Sequence, residues 1–157
     1  MTDITIQIVG LDELVRKVND PALLGEPLRD FFYKSTSVIQ RDAQVLAPVD
    51  TGRLRASITS SVDASPIPEF GMVSTNLAPH YAPDVEYGTR PHFPPISALM
   101  GWASRHGMNP YLVARKIARY GTKGVFFFRR AAENNISNIL TYLKEAATDI
   151  ENRWNNK

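Results

Sequence analysis

Hydrophobic and polar residues follow two different periods along the first part of the chain. Residues 2–9 place isoleucine at every second position, a period of two that predicts a half-buried strand. Residues 11–18 carry apolar side chains three and four positions apart, which predicts a short amphipathic helix. The same spacing over residues 26–46, with Pro27 in the first turn, predicts the longest helix of this half.

The middle of the chain returns to strand-like patterns interrupted by proline. Residues 54–62 and 70–75 are predicted to form two strands, and the stretch 63–68 between them is too rich in proline for a tight two-residue turn. We therefore predict a hairpin with a long, mobile loop. Residues 77–90 contain two prolines, so they are predicted to form a loop or a short turn of helix.

The second half of the chain is predicted to be mainly helical. Two short helices are expected at 95–106 and 110–120, with Gly107 placed to end the first. A glycine-containing break at 121–124 and a short apolar run then lead into the last helix. That helix is predicted as one continuous element from about residue 130 to residue 154.

These elements predict an α+β fold in one domain. A chain of 157 residues is close to the usual size of a single domain. We expect a small, mostly antiparallel sheet packed on the long helix at 26–46 and on the long C-terminal helix. Residues 92–122 are interpreted as a two-helix insertion within the single domain 1–157.

The composition excludes several classes of protein. The chain has no cysteine, which rules out disulfide scaffolds, thiolate metal sites and cysteine nucleophiles. His80, His92 and His106 are not at metal-ligand spacing, and the sequence contains no phosphate-binding glycine loop. It has no apolar stretch long enough to cross a membrane and does not begin like a signal peptide. We therefore predict no metal, cofactor, small-molecule substrate or membrane attachment.

Charge is unevenly distributed, although the net charge is only +2. No acidic residue occurs between Glu86 and Glu133, a stretch that holds eight basic residues. They are Arg90, Arg105, Arg115, Lys116, Arg119, Lys123, Arg129 and Arg130. The asymmetry predicts contact with an acidic partner, either nucleic acid or protein, and the alternative is a solvated basic face.

The two short helices superficially resemble a helix-turn-helix. Four basic residues of the second helix and its C-terminal extension are expected on one face, opposite Val113, Ile117 and Tyr120. They are Arg115, Lys116, Arg119 and Lys123. The early positions of this helix are aromatic or aliphatic, whereas base edges are usually read by Asn, Gln or Arg. The composition favours phosphate or protein contact over sequence-specific DNA recognition.

Asp50-Thr51-Gly52 has the sequence of an aspartic-peptidase active-site turn. That chemistry needs two carboxylates that share a proton, which a single copy supplies only through dimerisation. No apolar strand leads into Asp50, and the arginines at 53 and 55 would keep nearby carboxylates ionised. The favoured interpretation is an Asx-type turn in which Gly52 provides backbone freedom after the long helix.

Three segments, in order, carry a resemblance to a known family. Residues 48–58 (Pro-Val-Asp-Thr-Gly-Arg-Leu-Arg-Ala-Ser-Ile) follow a long helix, residues 81–90 contain Glu-Tyr-Gly-Thr-Arg, and residues 121–132 lead from Gly-Thr-Lys to Phe-Phe-Arg-Arg-Ala-Ala. Together they resemble the minor tail-component, or head–tail joining, family of tailed bacteriophages. Asp84 departs from the family's pattern, which often has a bulky residue there. The candidate interaction or structural residues on these segments are Asp50, Thr51, Gly52, Arg53, Tyr87, Gly88, Arg90, Lys123, Arg129 and Arg130.

The resemblance implies a non-catalytic structural protein that joins phage head and tail or completes the tail. It implies a ring-shaped homo-oligomer whose neighbours are other neck, connector or tail proteins, located in the virion and in the host cytoplasm during assembly. The basic stretch 105–130 would face an acidic neighbouring subunit or passing DNA, and the hairpin at 54–75 is hypothesised to extend toward adjacent subunits. The alternatives are a non-specific nucleic-acid-binding protein using residues 105–130 and a dimeric aspartic peptidase using Asp50.

Overall fold

The structure is a computed structural model that describes residues 11–76 and 81–156. Within these ranges it contains eight helices and four short strands. The residues form two compact units, one made of residues 11–36, 61–72 and 137–156 and the other of the remaining described residues. The strand predicted at 2–9 lies outside the described residues.

Helices α1 (Leu11–Val18) and α2 (Pro21–Leu46) open the described chain. Helix α1 is confirmed, but α2 begins at Pro21 and not near residue 26 as predicted. Asp20 explains the earlier start, because its carboxylate accepts a hydrogen bond from the Ala22 backbone nitrogen at 2.9 Å. Pro21 occupies the first helical position, where a missing N–H costs nothing, and Pro27 lies inside the helix.

A hairpin follows α2 and the short helix α3 (Arg53–Ser57), formed by β1 (Ile58–Val62) and β2 (Gly71–Thr75). The strands are antiparallel, since Asp63 N bonds to Phe70 O at one end and Asn76 N bonds to Ser57 O at the other. The predicted strand start at residue 54 is wrong. The buried residues here are Leu54, Ser57 and Ile58, and this spacing of three and four is helical.

The hairpin loop is held against the start of α2. The Arg29 guanidinium donates a hydrogen bond of 2.8 Å to the Ser65 carbonyl and another of 3.4 Å to the Asp63 carbonyl. Gly25 lets the loop approach, because a Cβ at that position would collide with the Pro66 carbonyl oxygen. In the same unit, α2 pairs with the last helix through the Lys34 ammonium and the Glu145 carboxylate, 2.9 Å apart.

Residues 81–90, which were predicted to form a loop or a short turn of helix, form the helix α4 (Tyr81–Tyr87) and the strand β3 (Gly88–Thr89). Pro83 does not prevent the helix, because it lies in the first turn, where backbone N–H groups have no helical partner. Strand β3 pairs antiparallel with β4 (Thr122–Lys123), so that Gly88 faces Lys123 and Thr89 faces Thr122.

The two predicted short helices are confirmed as α5 (Ile96–Arg105) and α6 (Pro110–Tyr120). Gly107 has a φ of 62°, and the Met108 backbone nitrogen bonds to the Ala103 carbonyl at 2.9 Å, as in a Schellman motif. Asn109 then caps α6 by accepting a hydrogen bond from the Tyr111 nitrogen. Whether residues 92–122 form an insertion stays a prediction.

The predicted continuous C-terminal helix is two helices, α7 (Phe127–Asn134) and α8 (Ile136–Asn155). The break is at Asn135, which is 1% exposed. Its side-chain amide donates to the Ala131 carbonyl at 2.9 Å and to the Asp42 carboxylate at 2.6 Å. These two bonds fix the buried asparagine between the helices, and they depend on a residue of α2 that local sequence does not reveal.

The predicted α+β class is confirmed, with one difference in the sheet. The strands form two separate two-stranded sheets, β1–β2 and β3–β4, in place of one small sheet. The hydrophobic core of the second unit joins α2, the hairpin, α4 and α7. Its buried members are Ala43, Ala47, Leu54, Ile58, Ala82, Phe127 and Ala131.

Candidate functional site

The three segments that carry the family resemblance meet around this one core. Leu54 and Ile58 come from the first segment, Ala82 from the second, and Phe127 and Ala131 from the third. All five side chains are at least 96% buried. The segments are therefore connected through their apolar residues, which have an architectural role.

Glu86 links the second segment to the third. It is 4% exposed, and its carboxylate accepts hydrogen bonds of 3.0 Å from the backbone nitrogens of Phe128 and Arg129. These nitrogens lie in the first turn of α7, where N–H groups have no helical partner and the helix dipole favours a negative charge. Glu86 is thus the N-terminal cap of α7, supplied by another helix.

Glycines allow the same two segments to cross closely. Gly88 and Gly121 have φ values of 78° and 69°, in the left-handed region that favours glycine. A Cβ on Gly88 would collide with the Thr122 carbonyl oxygen, and a Cβ on Gly121 would collide with the Thr89 carbonyl oxygen. Gly88, predicted as an interaction residue, is required by the backbone.

Asp50 forms an ion pair with Arg105 of α5. The Arg105 guanidinium donates to both carboxylate oxygens, with 2.8 Å between Nε and Oδ1. These hydrogen bonds lower the pKa of the Asp50 carboxyl. The sequence interpretation was right about Gly52, whose φ is 78°, but the carboxylate bonds to Arg105 where an Asx turn was predicted.

The Asp50–Arg105 ion pair argues against the peptidase alternative. A catalytic aspartate dyad keeps one proton between two carboxylates, which requires a raised pKa for one of them. Arg105 has the opposite effect on Asp50. The sequence predicted that Arg53 and Arg55 would keep carboxylates near them ionised. In the structure the arginine bonded to Asp50 is Arg105 of α5.

An open groove of about 1370 Å³ lies beside this ion pair. Its walls are α5, α6, the turn at 50–53 and strand β4, and Tyr81 also contributes. The apolar lining includes Leu99, Trp102, Val113, Ile117 and Tyr120. The groove is a surface on which a partner could bury apolar side chains.

The charged lining of the groove is predominantly basic. It contains four cations and one acid, Asp50, which Arg105 already neutralises. The other three cations are Arg53, Lys116 and Lys123, which are exposed and form no ion pair within the described part of the chain. The groove therefore presents three positive charges without a counter-ion from its own walls.

The basic face predicted for α6 is divided in the structure. Lys116 and Lys123 line the groove beside Val113 and Ile117, so their predicted position opposite those residues is wrong. At 3.6 residues per turn, Lys116 adjoins the apolar stripe and its methylene stem can lie along it. Arg115 and Arg119 do not line the groove, and the Arg119 guanidinium lies 5.5 Å from the centre of the Tyr120 ring.

The other predicted site residues are separate from the groove, except Thr51, which lines it. Arg129 pairs with Glu133 on α7 at 2.8 Å. Tyr87 is 70% exposed, with its ring edge against Phe126, and Arg90 and Arg130 are also exposed. The structure does not bring Tyr87, Arg90, Arg129 and Arg130 into the groove.

Sequence reasoning missed the contribution of α5. Leu99, Trp102 and Arg105 all line the groove and follow one another at intervals of three residues. Residues three apart share a helix face, so an apolar-aromatic-basic stripe was a signal available in the sequence. The Trp102 ring is held in a stack with His106, with 4.2 Å between ring centres.

The described residues contain no group of three or more histidine or acidic side chains that could hold a metal ion. Helices that could cross a lipid bilayer were not found in the same residues. In the comparisons with known proteins, the chain matches no family model, no curated protein and no solved structure.

Proposed function

We propose that this chain is a structural protein of a tailed bacteriophage that joins head and tail or completes the tail by protein–protein contact. The observation that carries the proposal is the ordered resemblance of three segments, at 48–58, 81–90 and 121–132, to one phage family. Their meeting in a single core supports the proposal, because a shared family fold would require these segments to pack together.

The surface of α8 supports an assembly role. Ile136, Leu140 and Leu143 are 54%, 52% and 46% exposed, and their spacing of four and three places them on one stripe. A contiguous apolar stripe on a soluble protein usually marks a contact surface. The proposed contacts are with further copies in a ring and with neck, connector or tail proteins in the virion.

A non-enzymatic role agrees with the state of Asp50. The residue that carries the peptidase-like sequence has both carboxylate oxygens bonded to Arg105. An ionised, ion-paired aspartate is poorly suited to sharing a proton. Peptidase activity that is lost on Asp50→Asn substitution would contradict this part of the proposal.

The direct test is to delete the gene from the phage genome that encodes it and to image the particles by negative stain. A joining protein should leave full heads and finished tails as separate particles. A tail-completion protein should leave tails of abnormal length or tails without a terminator. Intact, infectious virions in the deletion strain would refute the structural role.

The ring can be tested on the purified chain by sedimentation velocity. We expect an oligomer, and Leu140→Glu should dissociate it, because a charge on the α8 stripe cannot be buried in a contact without a partner. Thr141→Glu is the matched control, since Thr141 is exposed on the same helix beside the stripe. A monomer in the wild type would contradict self-association through α8.

One observation favours the nucleic-acid alternative. Arg115 and Arg119 are exposed, lie four residues apart on α6 and form no ion pair with any described residue. Non-specific binding of random duplex DNA, falling steeply with salt and lost on Arg115→Glu/Arg119→Glu substitution, would support this function. The absence of binding at low salt would remove it.

A further inference from the structure

We propose that the groove formed by α5, α6 and the turn at 50–53 binds an acidic segment of another protein that also carries apolar side chains. The inference goes beyond the proposed function, because it depends only on the lining of the groove. The groove volume of about 1370 Å³ exceeds the roughly 300–1,000 Å³ of typical small-molecule sites, so a polypeptide segment is the better fit.

The apolar lining calls for side chains of a protein. Leu99, Val113 and Ile117 offer aliphatic surface to a partner. Covering this surface with another apolar group removes it from water and so favours binding. Trp102 is half-buried and its ring is already ordered by stacking on His106, so little conformational entropy is lost when a partner covers it. Ordered aromatic side chains in pockets are typical anchors of protein interfaces.

The charges of the groove specify the sign of the charge on its partner. Arg53, Lys116 and Lys123 are exposed at the groove without a partner among the described residues. Asp50, the acidic lining residue, is held by Arg105 and does not offset the other cations. An acidic segment supplies the missing counter-charges, which favours its association and disfavours basic competitors.

A nucleic acid fits the same groove less well. Binding of a strand would use several phosphate contacts, but Arg115 and Arg119 do not line the groove, and Arg105 is already bonded to Asp50. One face of Trp102 is stacked on His106, which leaves less of the ring for stacking a base. Single-stranded DNA is therefore the rival ligand in the test.

The test uses Trp102 as the reporter of binding. The chain has two tryptophans, so Trp154→Phe leaves Trp102 as the only tryptophan, whose emission can be excited selectively. The probe is a synthetic amphipathic peptide of glutamate and leucine, about four helical turns long. Matched probes replace glutamate with lysine, or leucine with serine, and a thymidine oligonucleotide represents single-stranded DNA.

We expect saturable binding of the glutamate–leucine peptide and weaker binding of both matched peptides. Lys116→Glu/Lys123→Glu should weaken binding at least about tenfold. Arg115→Glu/Arg119→Glu makes the same change of charge outside the groove and should weaken binding by less than about threefold. If the first double variant fails to fold, Lys116→Gln/Lys123→Gln gives the same comparison with a smaller loss.

Three results would overturn the proposal. The first is no saturable change with the glutamate–leucine peptide up to about 1 mM. The second is an equal effect of the two double variants, because the groove would then contribute no more than general electrostatic attraction. The third is tighter binding of the oligonucleotide that depends on Lys116 and Lys123, which would assign the groove to nucleic acid. None of these results alters the test of the phage role.

Discussion

The core of the second unit and the groove on the same unit differ in whether their charged side chains have partners within the protein. In the core, the buried Glu86 carboxylate accepts two backbone hydrogen bonds, so both of its oxygen atoms have partners within the protein. In the groove, Lys116 and Lys123 have no counter-ion among the described residues. A charge that the fold already satisfies has a structural role, and a charge that it leaves unsatisfied is available to a partner.

This difference separates two kinds of sequence signal. The segments that resemble a phage family supply the buried residues Leu54, Ile58, Ala82, Phe127 and Ala131 of the core and also part of the groove lining. The remaining lining residues, which are the majority, come from α5 and α6, between those segments. Substitutions in the core should therefore reduce stability. Substitutions of Arg53, Lys116 and Lys123 should leave stability almost unchanged, because exposed charges without partners contribute little to it.

The largest expected effect is that of Phe127→Ala. Phe127 is fully buried, and its removal should lower the free energy of unfolding by about 3–5 kcal/mol, through lost burial and the cavity left behind. Urea denaturation followed by circular dichroism measures the change. The control is Phe93→Ala, which removes a half-exposed ring and should cost about 1 kcal/mol or less. Equal losses would mean that the core is not centred on Phe127.

The next effect is that of Glu86→Ala. This change removes the acceptor of two part-buried hydrogen bonds from the backbone nitrogens of Phe128 and Arg129, and should cost about 1–2 kcal/mol. Glu86→Gln keeps one oxygen acceptor and should cost less. Glu133→Ala removes only an exposed pair with Arg129 on the same helix and should leave stability almost unchanged. The comparison is decided by thermal and urea unfolding of the three variants.

The sequence predicted best the elements whose signals are local. The ends of helices α5 and α6 were predicted accurately, because Gly107, Asn109 and Pro110 mark them within a few residues. The break at Asn135 was missed, since it depends on Asp42, which lies 93 residues earlier. Helix α3 was mistaken for strand, because a five-residue helix has too few turns to establish a period.

The candidate site shows the same limit. The turn at Gly52 could be predicted from a glycine after a helix end, but the partner of Asp50 could not. Arg105 is 55 residues away, whereas Arg53 and Arg55 are adjacent in sequence. Only the packing of α5 near the turn selects among the three arginines. The groove is a product of that packing and could not be predicted from composition.

An effect of similar size is expected at the glycine crossing. Gly88→Ala should cost about 1–2 kcal/mol, because alanine is strained at a φ of 78° and its Cβ would meet the Thr122 carbonyl. Gly101→Ala is the matched control in helix α5, where the nearest atom is the end of the Arg105 side chain at 3.4 Å. It should stabilise the protein by about 0.5–1 kcal/mol. Both changes can be measured by differential scanning calorimetry, and a stabilising Gly88→Ala would contradict the crossing geometry.

The smallest effect is expected for the Asp50–Arg105 ion pair, where the segment at 48–58 reaches the groove. Hydrogen bonds from Arg105 lower the pKa of Asp50, so Arg105→Gln should raise that pKa toward the ordinary carboxyl value of about 3.9. The carboxyl carbon of Asp50 can be titrated by NMR. Arg53→Gln is the control and should leave the Asp50 pKa in place, since Arg53 does not contribute to the shift. An equal response to both substitutions would show that the pKa of Asp50 is lowered by the combined charge of the nearby arginines and not by the hydrogen bonds from Arg105 in particular.

The pH dependence of stability gives the same test a second readout. Because the pKa of Asp50 is lower in the folded chain than in the unfolded chain, the unfolded chain binds the proton first as the pH falls. The stabilisation from the pair is therefore present above the ordinary carboxyl pKa and is lost as the pH falls through the folded value. Arg105→Gln should reduce stability at neutral pH and have little effect in acid, where Asp50 is protonated in both chains. A loss that is the same at both pH values would come from the packing of the Arg105 side chain on α5 and not from its charge.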